Sequence, residues 1–147
     1  MWIVPVSIAI LILIILFMPK YITKREIYIT WGVVGFVAWI VDMISGAILD
    51  LYDFGPTKDI TWIDVLAVSI IPAGFAIIFL NFLPKSKRVF IYGIGWTLIT
   101  LLFVWLTTYT GYLQYKGWKT WYSIPAWLFI YLLFLRWHLH FIRGKKN

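Results

Sequence analysis

Residues 27–49 read IYITWGVVGFVAWIVDMISGAIL, an apolar run interrupted by one charged side chain, Asp42. A helix needs about 20 mostly apolar residues to cross a bilayer, and this run supplies them. Four further stretches have the same character. The spans predicted are Trp2–Met18, Ile27–Leu49, Trp62–Leu83, Val89–Tyr109 and Trp121–Ile142. They must be helices, because lipid offers no partner to an open backbone. The connections are short, so the expected architecture is all-α: one polytopic transmembrane bundle over residues 1–147, with antiparallel neighbours.

Composition agrees. The chain is 63% apolar and 13% charged, whereas soluble domains run near ~45–50% and ~25%. Trp2–Met18 has no basic stretch before it and no small-x-small cleavage site after it, which favours a retained helix over a signal peptide.

The net charge of +7 is a topology signal. Lys20, Lys24 and Arg25 fall in the first connection, Lys85, Lys87 and Arg88 in the third, and Arg136, Arg143, Lys145 and Lys146 at the C-terminal end. Five spans put all ten on one side and leave Lys58, Lys116 and Lys119 on the other. By the positive-inside rule the N-terminus is outside and the C-terminus cytoplasmic. The cations then lie beside anionic lipid, and nucleic acid is excluded as a partner. Asp50, Asp53, Asp59 and Asp64 cluster at the second connection, read as a solvated outer loop or, more sharply, as an acidic mouth that gathers cations.

An ionised carboxylate in mid-membrane costs ~2.5–3.5 kcal/mol on insertion scales, so Asp42 needs a reason to be there. Gly32, Gly35, Trp39, Asp42 and Gly46 recur at helical spacing and form one stripe that turns Asp42 into the bundle. Gly93, Thr97, Thr100, Val104 and Thr107 repeat the pattern in the fourth span, and Ser69, Ala73, Ala76 and Leu80 in the third. Depth places Ser69 level with Asp42 and Thr100 somewhat deeper. The three are predicted to surround one polar site in the outer half of the bundle. Asp42 would then fasten helices, bind an ion or ligand, or relay protons.

Tyr109, Tyr112, Tyr115, Trp118 and Trp121 recur at every third position, interleaved with Lys116 and Lys119. Tyr and Trp favour the membrane boundary, so an interfacial anchor is one reading. A stacking platform for a headgroup, sugar or cation, through Tyr109, Tyr112, Tyr115 and Trp118, is the other. His138 and His140 sit two apart and face nearly opposite ways, a poor geometry for sharing a metal; they are read as a snorkelling belt with Arg136 rather than as a functional pair. The chain has no cysteine. It lacks a phosphate-binding Gly-rich loop, a zinc-protease helix motif and a nucleophile elbow, so no catalytic residue, metal or cofactor is expected.

The second half, from Trp62 to Ile142, resembles a family of small uncharacterised multi-span membrane proteins of endospore-forming Firmicutes. The likeness rests on Pro72, on Phe79-Leu80-Asn81 followed by Pro84, and on Tyr109-Thr110 leading to Tyr115 and Trp118–Tyr122. It implies a helical membrane fold in a bacterial cytoplasmic membrane and no particular activity. Five short Trp-rich spans also resemble the architecture of the tryptophan-rich sensory proteins, without their paired-proline motif.

The function expected is therefore non-enzymatic binding of a small or lipid-like ligand, or of a partner, at an outward-facing polar site. The partners expected are membrane lipids and either another protein or further copies of the chain. A subunit of an oligomeric channel or transporter is the alternative. A lipid-modifying enzyme ranks last, because no catalytic pair is visible.

Overall fold

The computed structural model describes residues 2–144; Lys145 and Lys146 lie outside the described residues. Five helices follow one another: α1 (Ile3–Phe17), α2 (Lys24–Ile48), α3 (Trp62–Asn81), α4 (Val89–Tyr109) and α5 (Thr120–Arg143). The last four are long and apolar enough to cross a membrane. The first has 15 residues, about 22 Å at 1.5 Å per residue, against a hydrocarbon core of about 30 Å.

α3 is the axis of the bundle. It is apolar on nearly every face and the most buried of the four long helices, as expected of a helix with neighbours on several sides. Ala67, Ala73, Gly74 and Ala76 keep it thin, so its neighbours approach closely. Leu11 of α1 packs onto Gly74, where an added Cβ would lie 3.2 Å from its Cδ1. On another side Gly35 of α2 sits over the carbonyl of Ser69. Phe79 faces α4 and α5, with ring centroids 5.0 Å from Tyr92 and 4.9 Å from Tyr131. The Tyr92 hydroxyl donates to the Phe79 carbonyl at 2.9 Å.

α4 and α5 meet along the predicted threonine stripe. Gly93, Thr97, Thr100 and Thr107 are all buried, and Gly93 leaves room that the Leu132 side chain occupies. The hydroxyls of Thr97, Thr100 and Thr107 donate to carbonyls of their own helix, so they are buried without an orphaned donor. The α2 stripe holds for Gly35, Trp39, Asp42 and Gly46 but not for Gly32, which is exposed with nothing near it. The buried face there runs through Thr30 and Val34 instead.

Three hydrogen-bonded contacts bring the basic segments to one end. Asn81, at the end of α3, accepts from the backbone N–H of Tyr21 and Ile22 and donates to the Pro19 carbonyl. Glu26, held in a capping box with Thr23 at the start of α2, also pairs with Arg143 at 2.7 Å. His138 bonds to the Thr30 hydroxyl at 3.0 Å. His138 is thus a buried fastener rather than part of a snorkelling belt, while His140 is exposed on the opposite face.

The all-α expectation needs one correction. At the other end the two longer connections pair as a small antiparallel sheet of β1 (Tyr52–Phe54) and β2 (Leu113–Tyr115). Tyr52 lies opposite Tyr115, Asp53 opposite Gln114 and Phe54 opposite Leu113. Aromatic residues favour a pleated, half-buried surface. The helix ends leave these two segments side by side with backbone groups to satisfy. Gly111, at φ +78, turns the chain out of α4 toward β2.

Candidate functional site

The acid that stood out in the sequence opens a local irregularity. Asp42 is the last α-helical residue of α2, and Met43–Ile48 continue as a π-turn. Such turns widen the helix and are frequent at functional sites. The widening lets Gly46 pack against Tyr52 as the chain doubles back into β1. The Tyr52 hydroxyl then donates to Asp42 Oδ1 at 2.5 Å. The bond uses one carboxylate oxygen.

A second pair of the same kind stands opposite. Asp64, in the first turn of α3, is 4% exposed. Its Oδ2 accepts from the backbone N–H and the hydroxyl of Thr61, at 2.8 and 2.7 Å. Its Oδ1 accepts from the Tyr112 hydroxyl at 2.9 Å. Burial pushes the Tyr112 phenol above its ordinary pKa, and the Asp64 charge adds to the effect. Burial, then Asp42, act likewise on Tyr52. Both tyrosines therefore remain protonated donors. Phe54 lies between them, with centroids 5.7 Å from Tyr52 and 5.9 Å from Tyr112.

A cavity of about 80 Å³ opens here, walled by Trp39, Asp42, Tyr52, Phe54, Asp59 and Asp64 among others. One water needs roughly 10–15 Å³ of such space, so it holds a few waters or one small group. Asp53 and Lys58 also line it, giving four carboxylates against one ammonium. Asp53 shares Lys116, at 2.8 Å, with Asp50, at 2.6 Å. That contact holds the Asp50 carboxyl below its usual range and raises the Lys116 ammonium above its own. Lys116 therefore ties the strand pair together. Asp42 and Asp59 keep unused oxygen. Among the described residues no three acidic or histidine side chains converge as metal ligands.

The residues singled out in the sequence are placed as follows. Ser69 lies behind the cavity wall: its hydroxyl accepts from Nε1 of Trp39, which lines the cavity with Asp42, at 3.0 Å and donates to the Val65 carbonyl. Thr100 is elsewhere, buried against the Tyr131 hydroxyl at 2.6 Å between α4 and α5. Asp42, Ser69 and Thr100 do not surround one site; similar depth does not place side chains in the same interface. The aromatic series also divides. Tyr109 is exposed and stacks on Trp105. Tyr112 turns inward to Asp64. Tyr115 sits in β2 opposite Tyr52. Trp118 donates to the Ser123 hydroxyl at 2.8 Å. A period of three continued as a platform only if the segment kept one conformation, and Gly111 and β2 break it.

Tyr52, Phe54 and Asp64 were not singled out as site residues. Asp64 had a signal: Thr61-x-x-Asp64 before an apolar run has the form of a helix-capping motif, which buries an acid rather than solvating it. Tyr52 and Phe54 had none, because their place depends on a sheet formed with a segment some sixty residues away.

No family model matches the chain, and neither the curated proteins nor the solved structures compared with it give a match. The short motifs that carry the resemblance to a Firmicutes family thus find no counterpart in these comparisons. Two of those motif residues have a physical account here: Phe79 centres the aromatic core and Asn81 clamps the first connection.

Proposed function

We propose that this chain is a small integral membrane protein that binds rather than catalyses, and that the cavity at the strand-paired end takes a small organic cation. An ammonium group, free or on a lipid headgroup, fits its chemistry. The observation that carries this reading is Asp42: one oxygen is fixed by Tyr52, and Trp39 and Phe54 wall the same cavity. An aromatic wall beside a carboxylate attracts a cation by both its quadrupole and its charge. The small volume favours a single group over a whole lipid. A channel or transporter would need oligomerisation, for which no such observation speaks.

The test uses purified protein in nanodiscs, with tetramethylammonium as probe and fluorescence quenching of Trp39 as readout, the Trp39→Phe variant giving the background. Asp42→Asn should fold as the unmodified chain does, because an amide still accepts from Tyr52. It should weaken binding about tenfold or more, having lost the charge. Equal affinity in both proteins would sink the reading.

The same proposal places all five helices in the membrane, with the N-terminus outside. α1 supports this despite its length, since Leu11 near its middle contacts Gly74 near the middle of α3. The three basic segments gathered at one end fit a cytoplasmic face. A C-terminal fluorescent reporter that matures only inside the cell should work, and a C-terminal alkaline phosphatase should be silent. The opposite pair of results would reverse the orientation.

A further inference from the structure

We infer that the basic end of the bundle holds a second site, for a phosphate-bearing anion, with an anionic phospholipid headgroup as the source its surroundings favour. A cavity of about 390 Å³ opens between the first connection, the end of α3, the start of α4 and the end of α5. It is several times larger than the acidic cavity and opposite in sign. Lys85, Arg136 and Arg143 line it together with Ser86, and no acidic residue does.

Its architecture is built. Asn81, 3% exposed, spends its amide on three backbone groups of the first connection and so fixes one wall. Glu26 engages Nε of Arg143 and orients that guanidinium. The two terminal amino groups of the guanidinium remain, leaving four of its five N–H donors in a planar fork that matches phosphate oxygens. Arg136 makes only a long contact, 3.5 Å, to the Leu132 carbonyl. Among the described residues neither Arg136 nor Lys85 is in an ion pair. Two of the three cations at the cavity, Lys85 and Arg136, are thus left without an ion pair, while Arg143 is paired with Glu26. Leu83 and Leu139 supply apolar wall beside the cations. That pairing suits a molecule with a phosphate head and a hydrocarbon tail, as basic pockets between membrane helices do for anionic lipids.

The experiment compares lipid retention by native mass spectrometry, with the full chain taken from nanodiscs containing phosphatidylcholine and phosphatidylglycerol. The unmodified protein should retain phosphatidylglycerol preferentially. The Lys85→Gln/Arg136→Gln double variant, altered at two exposed positions, should lose that preference by about tenfold or more. The Lys24→Gln/Lys87→Gln variant removes the same charge from the same end, outside the cavity, and should keep it. Inorganic phosphate distinguishes the sources. If excess phosphate displaces the lipid and raises the melting temperature in pure phosphatidylcholine nanodiscs, the site serves a free anion. If it does neither while phosphatidylglycerol stays bound, the site serves the headgroup. Either result supports the anion site. Equal losses in the two double variants would show diffuse charge attraction and overturn it, as would undiminished retention in Lys85→Gln/Arg136→Gln.

Discussion

Replacing Asn81 by leucine is expected to destabilise the bundle by about 2–4 kcal/mol, although the two side chains are of similar size. The expected loss is one of polar pairing, because no large cavity is left. Asn81 is 3% exposed and is the partner of the Tyr21 and Ile22 N–H groups and of the Pro19 carbonyl. Leucine would leave these backbone groups beside an apolar surface, and each buried orphan costs about 1–3 kcal/mol, reduced where water can reach it. Tyr21 is exposed and will recover part of its bond from solvent. Asn81→Asp keeps the two acceptor bonds and loses the donor to Pro19, so it should fall between. Unfolding in mixed micelles, followed by circular dichroism, measures the differences. Limited proteolysis in the connection between α1 and α2 should accelerate in Asn81→Leu, since that connection loses its tie to α3. A variant as stable and as protease-resistant as the unmodified chain would show that packing of α1 on α3 alone holds the connection.

Asp64→Leu is expected to cost about 2–4 kcal/mol, from two mechanisms that meet in one carboxylate. It caps α3 through the Thr61 N–H and hydroxyl, and caps of this kind contribute about 0.5–2 kcal/mol. It also receives the Tyr112 hydroxyl, on a residue only 5% exposed. Tyr112→Phe removes the second interaction and leaves the cap, so it should cost about 1 kcal/mol. In a double-mutant cycle the two changes should be non-additive by about 0.5–2 kcal/mol, because they share one hydrogen bond. Loss of that bond should also loosen β2 against β1, raising amide exchange at Gly55, whose N–H donates to the Tyr112 carbonyl. Strict additivity would mean that Asp64 acts as a cap alone. Both costs are measured by the same micelle unfolding as for Asn81.

The sequence located the helices well and the site less well, for reasons that individual residues make plain. Helix position follows from apolar length, which is local, so the expected and observed bounds of α3 and α4 differ by at most a few residues. The stripe of Gly93, Thr97, Thr100 and Thr107 was legible because helical spacing alone puts those residues on one face, and α5 packs there. Asp42 was legible as an acid turned inward. Its partner was not. Ser69 and Thr100 were the hydroxyls at suitable depth, yet Asp42 bonds to Tyr52, ten residues on, after the chain has left the helix through a π-turn. The π-turn shifts the register of the residues that follow Asp42, and helical periodicity assumes that no such turn occurs.

By itself the sequence determined an apolar helical chain, the faces by which its helices pack, and the segregation of cations into three segments. These are properties of spacing and composition, which each segment carries alone. Only the tertiary structure decided which faces meet. It put α3 at the centre, paired Tyr52–Phe54 with Leu113–Tyr115, drew Asp42 and Asp64 around one aromatic cavity and sent Thr100 to a different interface. It also joined Lys85 to Arg136 and Arg143 across a second cavity. The physical reason is that helical spacing fixes direction and depth relative to a helix's own axis. The identity of the neighbour is set by how five such helices share one core.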